Sequence, residues 1–216
     1  MTFHLENARL GHPGQVVFAS LSLTIADGEK VALLGPSGAG KSTLLAALRQ
    51  QQEASCAWCP QTGDLVPILS VFHNLYMGAL PRNPTLTNLR NLIWPSAREK
   101  SSVGELAREL GLKDKLFTSV DQLSGGQAQR VALGRALYTQ RPILLADEPV
   151  SSLDEHQGLV LLRQALGRHH TAVVALHDRE LALQCCDRII GLGDGKILLD
   201  APASTLSLGD LDTLYQ

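Results

Sequence analysis

An apolar run leads straight into a glycine-rich loop at Val31-Ala32-Leu33-Leu34-Gly35-Pro36-Ser37-Gly38-Ala39-Gly40-Lys41-Ser42. The loop satisfies the pattern G-x-x-x-x-G-K-[ST], and apolar residues at helical spacing follow it at Leu44, Leu45 and Leu48. A strand, a glycine-rich turn and a helix in this order bind phosphate, because backbone N–H groups and the positive end of the helix dipole face the anion. This stretch therefore predicts a site for the phosphates of ATP.

The residues of this loop have separate roles in the predicted site. We expect Lys41 to reach the β- and γ-phosphates, the Ser42 hydroxyl to bind Mg²⁺, and Thr43 to contact the α-phosphate. The nucleotide-binding residues predicted from the loop are Gly35, Pro36, Ser37, Gly38, Ala39, Gly40, Lys41, Ser42 and Thr43.

A second apolar run ends in two carboxylates. Ile143-Leu144-Leu145-Ala146 is followed directly by Asp147 and Glu148. A strand that ends in an acid beside a phosphate-binding loop carries that acid to the metal, and a further carboxylate can polarise an attacking water. The sequence predicts Asp147 as a metal ligand and Glu148 as a general base; a solvated acid at a strand end is the alternative for Glu148.

Apolar runs without alternation predict the buried strands of a parallel sheet, and helical patterns lie between them. The runs are 31–34, 143–146 and 171–176, whereas the first 30 residues alternate and predict antiparallel strands. The expected fold is α/β, with a P-loop NTPase (RecA-like) core, an N-terminal antiparallel β lobe and an inserted α-helical lobe. Within one domain over 1–216, the expected segments are the β lobe at 1–30, the core at 31–61 and 128–200, the helical insertion at 62–127 and a tail at 201–216.

Composition and charge narrow the classes of partner. Nineteen basic and 21 acidic residues give a formal net charge of −2, so the chain has no net positive charge that would favour binding to nucleic acid. No apolar run approaches the ~18 residues of a membrane-spanning helix, and no signal peptide is visible, so we expect a cytoplasmic chain. The pair Cys56 and Cys59 has redox or zinc spacing, but no second CxxC or His pair follows at zinc-finger distance, which favours buried thiols.

The pentapeptide Leu123-Ser124-Gly125-Gly126-Gln127 resembles the signature motif of ABC-type ATPases, and the family's other motifs follow the expected order. Gln61 matches the Q-loop glutamine, Ser151-Ser152-Leu153-Asp154 matches the D-loop, and His177 matches the switch histidine. The resemblance covers about residues 3–200. The chain is thus similar to the ATP-binding subunits of ABC transporters.

This resemblance implies a shared ATP site. Two subunits pack head to tail in the family, so Ser124, Gly125, Gly126 and Gln127 of one copy would cover the γ-phosphate bound by the other. Gln61 would touch Mg²⁺ and the attacking water, His177 would hold the γ-phosphate and water, and Asp154 would organise the dimer seam. The predicted catalytic residues are Glu148, His177 and Gln61, and the predicted metal ligands are Ser42, Gln61 and Asp147.

The resemblance also implies partners. In the family, the inserted lobe binds a transmembrane permease, which would place this chain on the inner face of the membrane. A substrate-binding protein would be a further component of the same transport system. Closely spaced apolar residues follow Gln61. We expect most of them to form the core of this lobe and a subset to face the permease: Leu65, Val66, Ile68, Leu69, Val71, Phe72, Leu75, Tyr76 and Met77.

One position departs from the family pattern. The family stacks an aromatic residue on adenine early in the β lobe, and here His12 is the best match. Imidazole can stack but offers less area than phenol. We expect His12 against adenine, with a surface-turn histidine as the alternative.

The sequences of several segments, among them 74–78 and 182–197, resemble those of the phosphonate or phosphite import ATPases, one branch of this family. An ABC exporter and an importer of another small solute stay open as alternatives. A soluble ABC protein acting on nucleic acid is disfavoured by the single phosphate-binding loop and the acidic balance. A regulator without turnover is disfavoured by Glu148 and His177.

Overall fold

The computed structural model describes residues 2–12, 14–61 and 65–215, with only the main chain described at His12. Its internal contacts separate two compact units. We call residues 1–61 with 141–216 the core unit, and residues 62–140 the helical unit.

The strands belong to the core unit. In chain order they are β1 (Phe3–His12), β2 (Gln15–Ile25), β3 (Lys30–Leu34), β4 (Cys56–Cys59), β5 (Ile143–Asp147), β6 (Thr171–Ala175), β7 (Arg188–Gly193) and β8 (Lys196–Pro202). The helices, in chain order, are α1 (Lys41–Gln51), α2 (Val71–Tyr76), α3 (Thr85–Ile93), α4 (Ala97–Glu109), α5 (Gly125–Tyr138), α6 (Glu155–Gly167), α7 (Arg179–Cys185) and α8 (Leu208–Asp212).

The large sheet has the strand order β4-β5-β6-β3-β7-β8. All neighbours pair in parallel except β7 and β8, which form an antiparallel hairpin around Gly193-Asp194-Gly195. β5 and β6 are buried along their whole length, as unalternating apolar runs require. The predicted α/β class and parallel core are confirmed.

The N-terminal strands share the core of the large sheet. β1 and β2 pair antiparallel, as the alternation predicts. Phe3, Phe18 and Ile25 from this pair lie in the same buried cluster as Leu33 and Leu45. The β lobe therefore contributes packing to the sheet that carries the phosphate-binding loop.

The helical unit keeps all of α5. This helix begins at Gly125 and runs without a break to Tyr138, and it packs on α2 and α4 within the unit. The unit therefore ends at Gln140, whereas the expected boundary at 127 and 128 falls inside the helix. A continuous helix with buried residues from Val131 to Tyr138 explains the difference.

Four of the nine apolar residues predicted to form the core of the inserted lobe are buried. Val71, Phe72, Leu75 and Tyr76 are buried, and Ile68 is 80% exposed. The interpretation of these side chains as the lobe's own core is correct for α2.

Helix α3 exposes apolar residues and buries one polar residue, Asn91. Leu86 and Ile93 are 82% and 74% exposed, and Trp94, directly after the helix, is 78% exposed. Asn91 is fully buried and donates a hydrogen bond of 2.9 Å to the Tyr76 hydroxyl. Exposed apolar surface of this kind is typical of protein–protein interfaces.

The cysteine pair in β4 behaves as interior thiols. Cys56 and Cys59 are buried, and burial raises the pKa of the Cys56 thiol to about 11. A thiol with this pKa stays protonated at neutral pH and is a poor nucleophile.

Among the helices of the described residues, none is long and apolar enough to cross a membrane.

Candidate functional site

Four neighbouring strands deliver the predicted site residues to one edge of the large sheet. β4, β5, β6 and β3 are parallel, so their carboxyl ends lie together. Gln61 follows β4, Asp147 ends β5, His177 follows β6, and loop 35–40 follows β3. Ligands of open α/β sheets bind outside this edge.

Glycine is required at both ends of the loop. Gly35 has φ 143°, and a Cβ there would lie 2.2 Å from the carbonyl oxygen of Leu192. Gly40 has φ 97°, and its Cβ would lie 2.5 Å from the Phe18 ring. The loop can therefore follow this path only with glycine at these positions, and it leads directly into α1, whose first N–H groups lack partners within the helix.

The Lys41 ammonium lies inside the loop. Its Nζ donates to the carbonyl oxygens of Gly35 at 2.7 Å and Pro36 at 3.1 Å, and the residue is 6% exposed. Burial lowers the pKa of Lys41, and the carboxylates of Glu148 and Asp147 act in the opposite direction. A cation is thus held where the loop would wrap a phosphate.

Ser42 and Asp147 face each other across the site. The carboxylate accepts a hydrogen bond from the Ser42 hydroxyl, and burial raises the pKa of Asp147 against the effect of that bond. No three His, Cys, Asp or Glu side chains cluster as a metal site in the part of the chain that the structure describes. One hydroxyl and one carboxylate suit Mg²⁺, which takes its other ligands from water and phosphate oxygens.

Glu148 and His177 form a close pair. Glu148 Oε1 lies 2.5 Å from His177 Nε2, so the two side chains share a short hydrogen bond. The Glu148 side chain is 11% exposed and that of His177 is 40% exposed. Glu148 has φ 50°, an unusual value for a residue with a side chain, while its N–H is held by the Ala175 carbonyl at 3.0 Å. Strained backbone of this kind concentrates at functional sites.

The signature residues open α5 in the helical unit. Ser124 Oγ accepts from the Gln127 N–H at 3.3 Å, and Gln127 Oε1 accepts from the Ser124 N–H at 3.0 Å. This reciprocal capping box fixes the start of the helix, and Ser124 and Gly125 are exposed. An exposed N-terminus of a 14-residue helix is suited to an anion.

Three further predicted site residues are Asp154, Gln61 and His12. Asp154 caps α6, because its Oδ1 accepts from the Gln157 N–H at 2.9 Å, a role that the Asp-x-x-Gln spacing could have indicated. Asp154 also lines a cavity of about 720 Å³ together with Glu148 and His177. Gln61 is exposed at a bend after β4, and the His12 side chain lies outside the described residues.

The chain is similar to known proteins over most of its length. The sequence profile described as "ABC transporter" matches residues 18–151. The chain is 39% identical to the "Phosphonates import ATP-binding protein PhnC" of Pseudomonas putida, with 98% of this chain and 89% of that protein covered. It is 37% identical to "PhnC 2" of Pseudomonas aeruginosa, with 100% and 91% covered.

Solved structures share the fold. A dimeric ATP-binding cassette, MJ0796, bound to ADP and Pi superposes with a TM-score of 0.74 at 27% identity over 93% of this chain and 98% of that chain. A nucleotide-free cassette from an ABC transporter gives 0.71 at 20% identity over 92% and 90%. With the profile match and the identities to full-length relatives, the chain belongs to the ABC transporter family.

Proposed function

We propose that the chain is the ATP-binding and ATP-hydrolysing subunit of an ABC importer. The observation that carries the proposal is the arrangement at one sheet edge: a buried lysine in a glycine-rich loop, a hydroxyl–carboxylate pair and the Glu148–His177 pair. ATP hydrolysis requires phosphate binding, metal coordination and proton transfer within one site, and the lysine, the hydroxyl–carboxylate pair and the Glu148–His177 pair are groups suited to these three tasks.

The chain's own residues divide the work of hydrolysis. Lys41 and the loop N–H groups would bind the β- and γ-phosphates of ATP, and Ser42, Asp147 and Gln61 would hold Mg²⁺ directly or through water. Bound Mg²⁺ would neutralise charge on phosphate oxygens. Glu148 would take a proton from the attacking water, and His177 would position Glu148 and then donate toward the γ-phosphate.

A second copy of the chain would complete the site. The exposed N-terminus of α5 presents Ser124, Gly125, Gly126 and Gln127 as donors for a γ-phosphate, and the dimeric cassette among the similar structures supports this assembly. Asp154 lies beside the Glu148–His177 pair on the cavity that a partner would cover. We therefore infer a working homodimer with two composite ATP sites.

The partner in the membrane would be a permease. The exposed apolar face of α3, with Leu86, Leu89 and Ile93, supports docking of an apolar segment from another chain. We infer that the chain works on the inner face of the membrane through this contact, in a system that also has a substrate-binding protein.

The cargo that the relatives support is a phosphonate, because both are named phosphonates import ATP-binding proteins. We expect a host strain that lacks this chain to stop growing on an alkylphosphonate as the sole phosphorus source, because uptake requires ATP hydrolysis. Growth yield on the phosphonate and on phosphate is the measurement, and only the first should fall.

Complementation separates the cargo from the activity. The wild-type chain should restore growth on the phosphonate, and a Glu148→Gln chain should not. If the deletion strain grows normally on the phosphonate while the purified chain hydrolyses ATP, the cargo is another solute and the ATPase proposal stands.

His12 gives a test of the adenine contact. We expect His12→Ala to raise the dissociation constant for ATP about three- to tenfold, because a stacked ring contributes about 0.5–1.5 kcal/mol beyond its buried area. Calorimetric titration with ATP and with pyrophosphate is the measurement, and pyrophosphate affinity should be unchanged. An unchanged ATP affinity would identify His12 as a surface histidine.

A further inference from the structure

Tyr215 reaches the first residue of the phosphate-binding loop. Its hydroxyl accepts a hydrogen bond of 3.3 Å from the N–H of Gly35. Gly35 is the residue whose φ of 143° only glycine adopts readily, so the direction in which the chain leaves β3 depends on this peptide. The tyrosine thus holds the loop where its path is most unusual.

The ring of Tyr215 also contacts the segment that carries His177. The Arg179 guanidinium carbon lies 5.5 Å from the ring centroid, a cation–π distance. Arg179 is the first residue of α7, two positions after His177, and its Nη1 forms an ion pair with Asp212 of α8. One aromatic side chain therefore lies between the loop and the histidine segment.

The segment 208–215 is anchored well enough to hold a position. Leu211 and Leu214 are 0% and 6% exposed. A Cβ added to Gly191 would lie 2.5 Å from Leu214 Cδ2, so Leu214 packs directly on the β7 backbone. The packing of Leu211 and Leu214 therefore holds the segment that carries the Tyr215 hydroxyl to Gly35.

We propose that Tyr215 is a positioning residue for the phosphate-binding loop, which it fixes at Gly35 before nucleotide arrives and couples through Arg179 to the segment carrying His177. The inference rests on the proposed function in so far as the loop binds ATP. A loop already held in its bound shape loses less conformational freedom on binding, so the affinity for ATP rises.

Tyr215→Phe tests the inference because it removes the hydroxyl and keeps the ring for Arg179. We expect the Gly35 amide, followed by NMR hydrogen exchange without nucleotide, to exchange at least threefold faster. The dissociation constant of a non-hydrolysable ATP analogue should rise about three- to tenfold, the effect of one lost hydrogen bond. The KM for ATP should rise in parallel, while kcat should stay within twofold.

Tyr138→Phe is the matched control. It makes the same chemical change in the helical unit, where the Tyr138 hydroxyl donates to Glu99 at 2.7 Å. This variant should leave Gly35 exchange and nucleotide affinity as in the wild type.

Two results would overturn the positioning role. One is a Tyr215→Phe chain with wild-type Gly35 exchange and wild-type affinity. The other is a Tyr215→Ala chain that melts at a lower temperature yet keeps the wild-type affinity and KM, which would make the residue structural only. A wild-type chain that binds no ATP analogue would refute the proposed function instead, and Gly35 exchange would still report whether the contact holds the loop.

Discussion

Glu148→Gln is expected to lower ATP turnover by about 10²-fold or more and to leave ATP affinity within about threefold of the wild type. Glutamine keeps the size of the side chain and an oxygen that can accept from His177, whose Nε2 lies 2.5 Å from Glu148 Oε1. It lacks the charge needed to take a proton from water. Because glutamine and glutamate tolerate φ 50° about equally, backbone strain stays the same. Phosphate release at saturating ATP and calorimetric titration measure the two quantities.

Glu53→Gln is the matched control for this experiment. Glu53 lies in the same unit and forms an exposed i,i+4 ion pair with Arg49 at 2.9 Å, which contributes little to stability. Its turnover should equal that of the wild type. Equal turnover in Glu148→Gln would show that another group accepts the proton, and it would remove Glu148 from the catalytic residues.

The sequence was informative where one physical cause decides the structure. Runs 31–34, 143–146 and 171–176 lack alternation, and burial on both faces of a parallel sheet is the reason, so β3, β5 and β6 could be predicted. The residues that follow these strands meet at one edge of the sheet, because parallel strands end together. Asp147 and the loop at 35–42 therefore followed from pattern alone.

Features that depend on tertiary contacts could not be predicted from the pattern. Glu148, with its φ of 50°, follows β5, and its partner His177 follows β6. The two residues are 29 positions apart in the sequence, so only the folded sheet brings them together. The polar burial on α3 depends on Asn91 meeting the Tyr76 hydroxyl. The contact of Tyr215 with the phosphate-binding loop could not be predicted, because its partner Gly35 lies 180 residues earlier in the sequence.

Lys41→Met is expected to raise the dissociation constant for ATP about 10²-fold, which corresponds to about 2.7 kcal/mol. Methionine keeps an aliphatic stem of similar length and removes the ammonium that the loop holds at 2.7 Å from the Gly35 oxygen. The apo protein should tolerate the change, with its free energy of unfolding altered by no more than about 2 kcal/mol. Burial already disfavours the charged form of Lys41, and this offsets the hydrogen bonds that are lost.

Lys30→Met distinguishes loss of the site cation from loss of any lysine that binds carbonyl groups. Lys30 begins β3 in the same unit, and its Nζ also donates to two carbonyl oxygens, those of His169 at 2.8 Å and His170 at 2.5 Å. Those acceptors lie at the opposite end of β3 from the phosphate-binding loop, so ATP affinity should stay within twofold of the wild type. If Lys41→Met and Lys30→Met weaken ATP binding equally, the effect is one of general stability and Lys41 does not bind the phosphates. If only Lys41→Met weakens it while both variants melt alike, the lysine in the loop acts on the nucleotide itself.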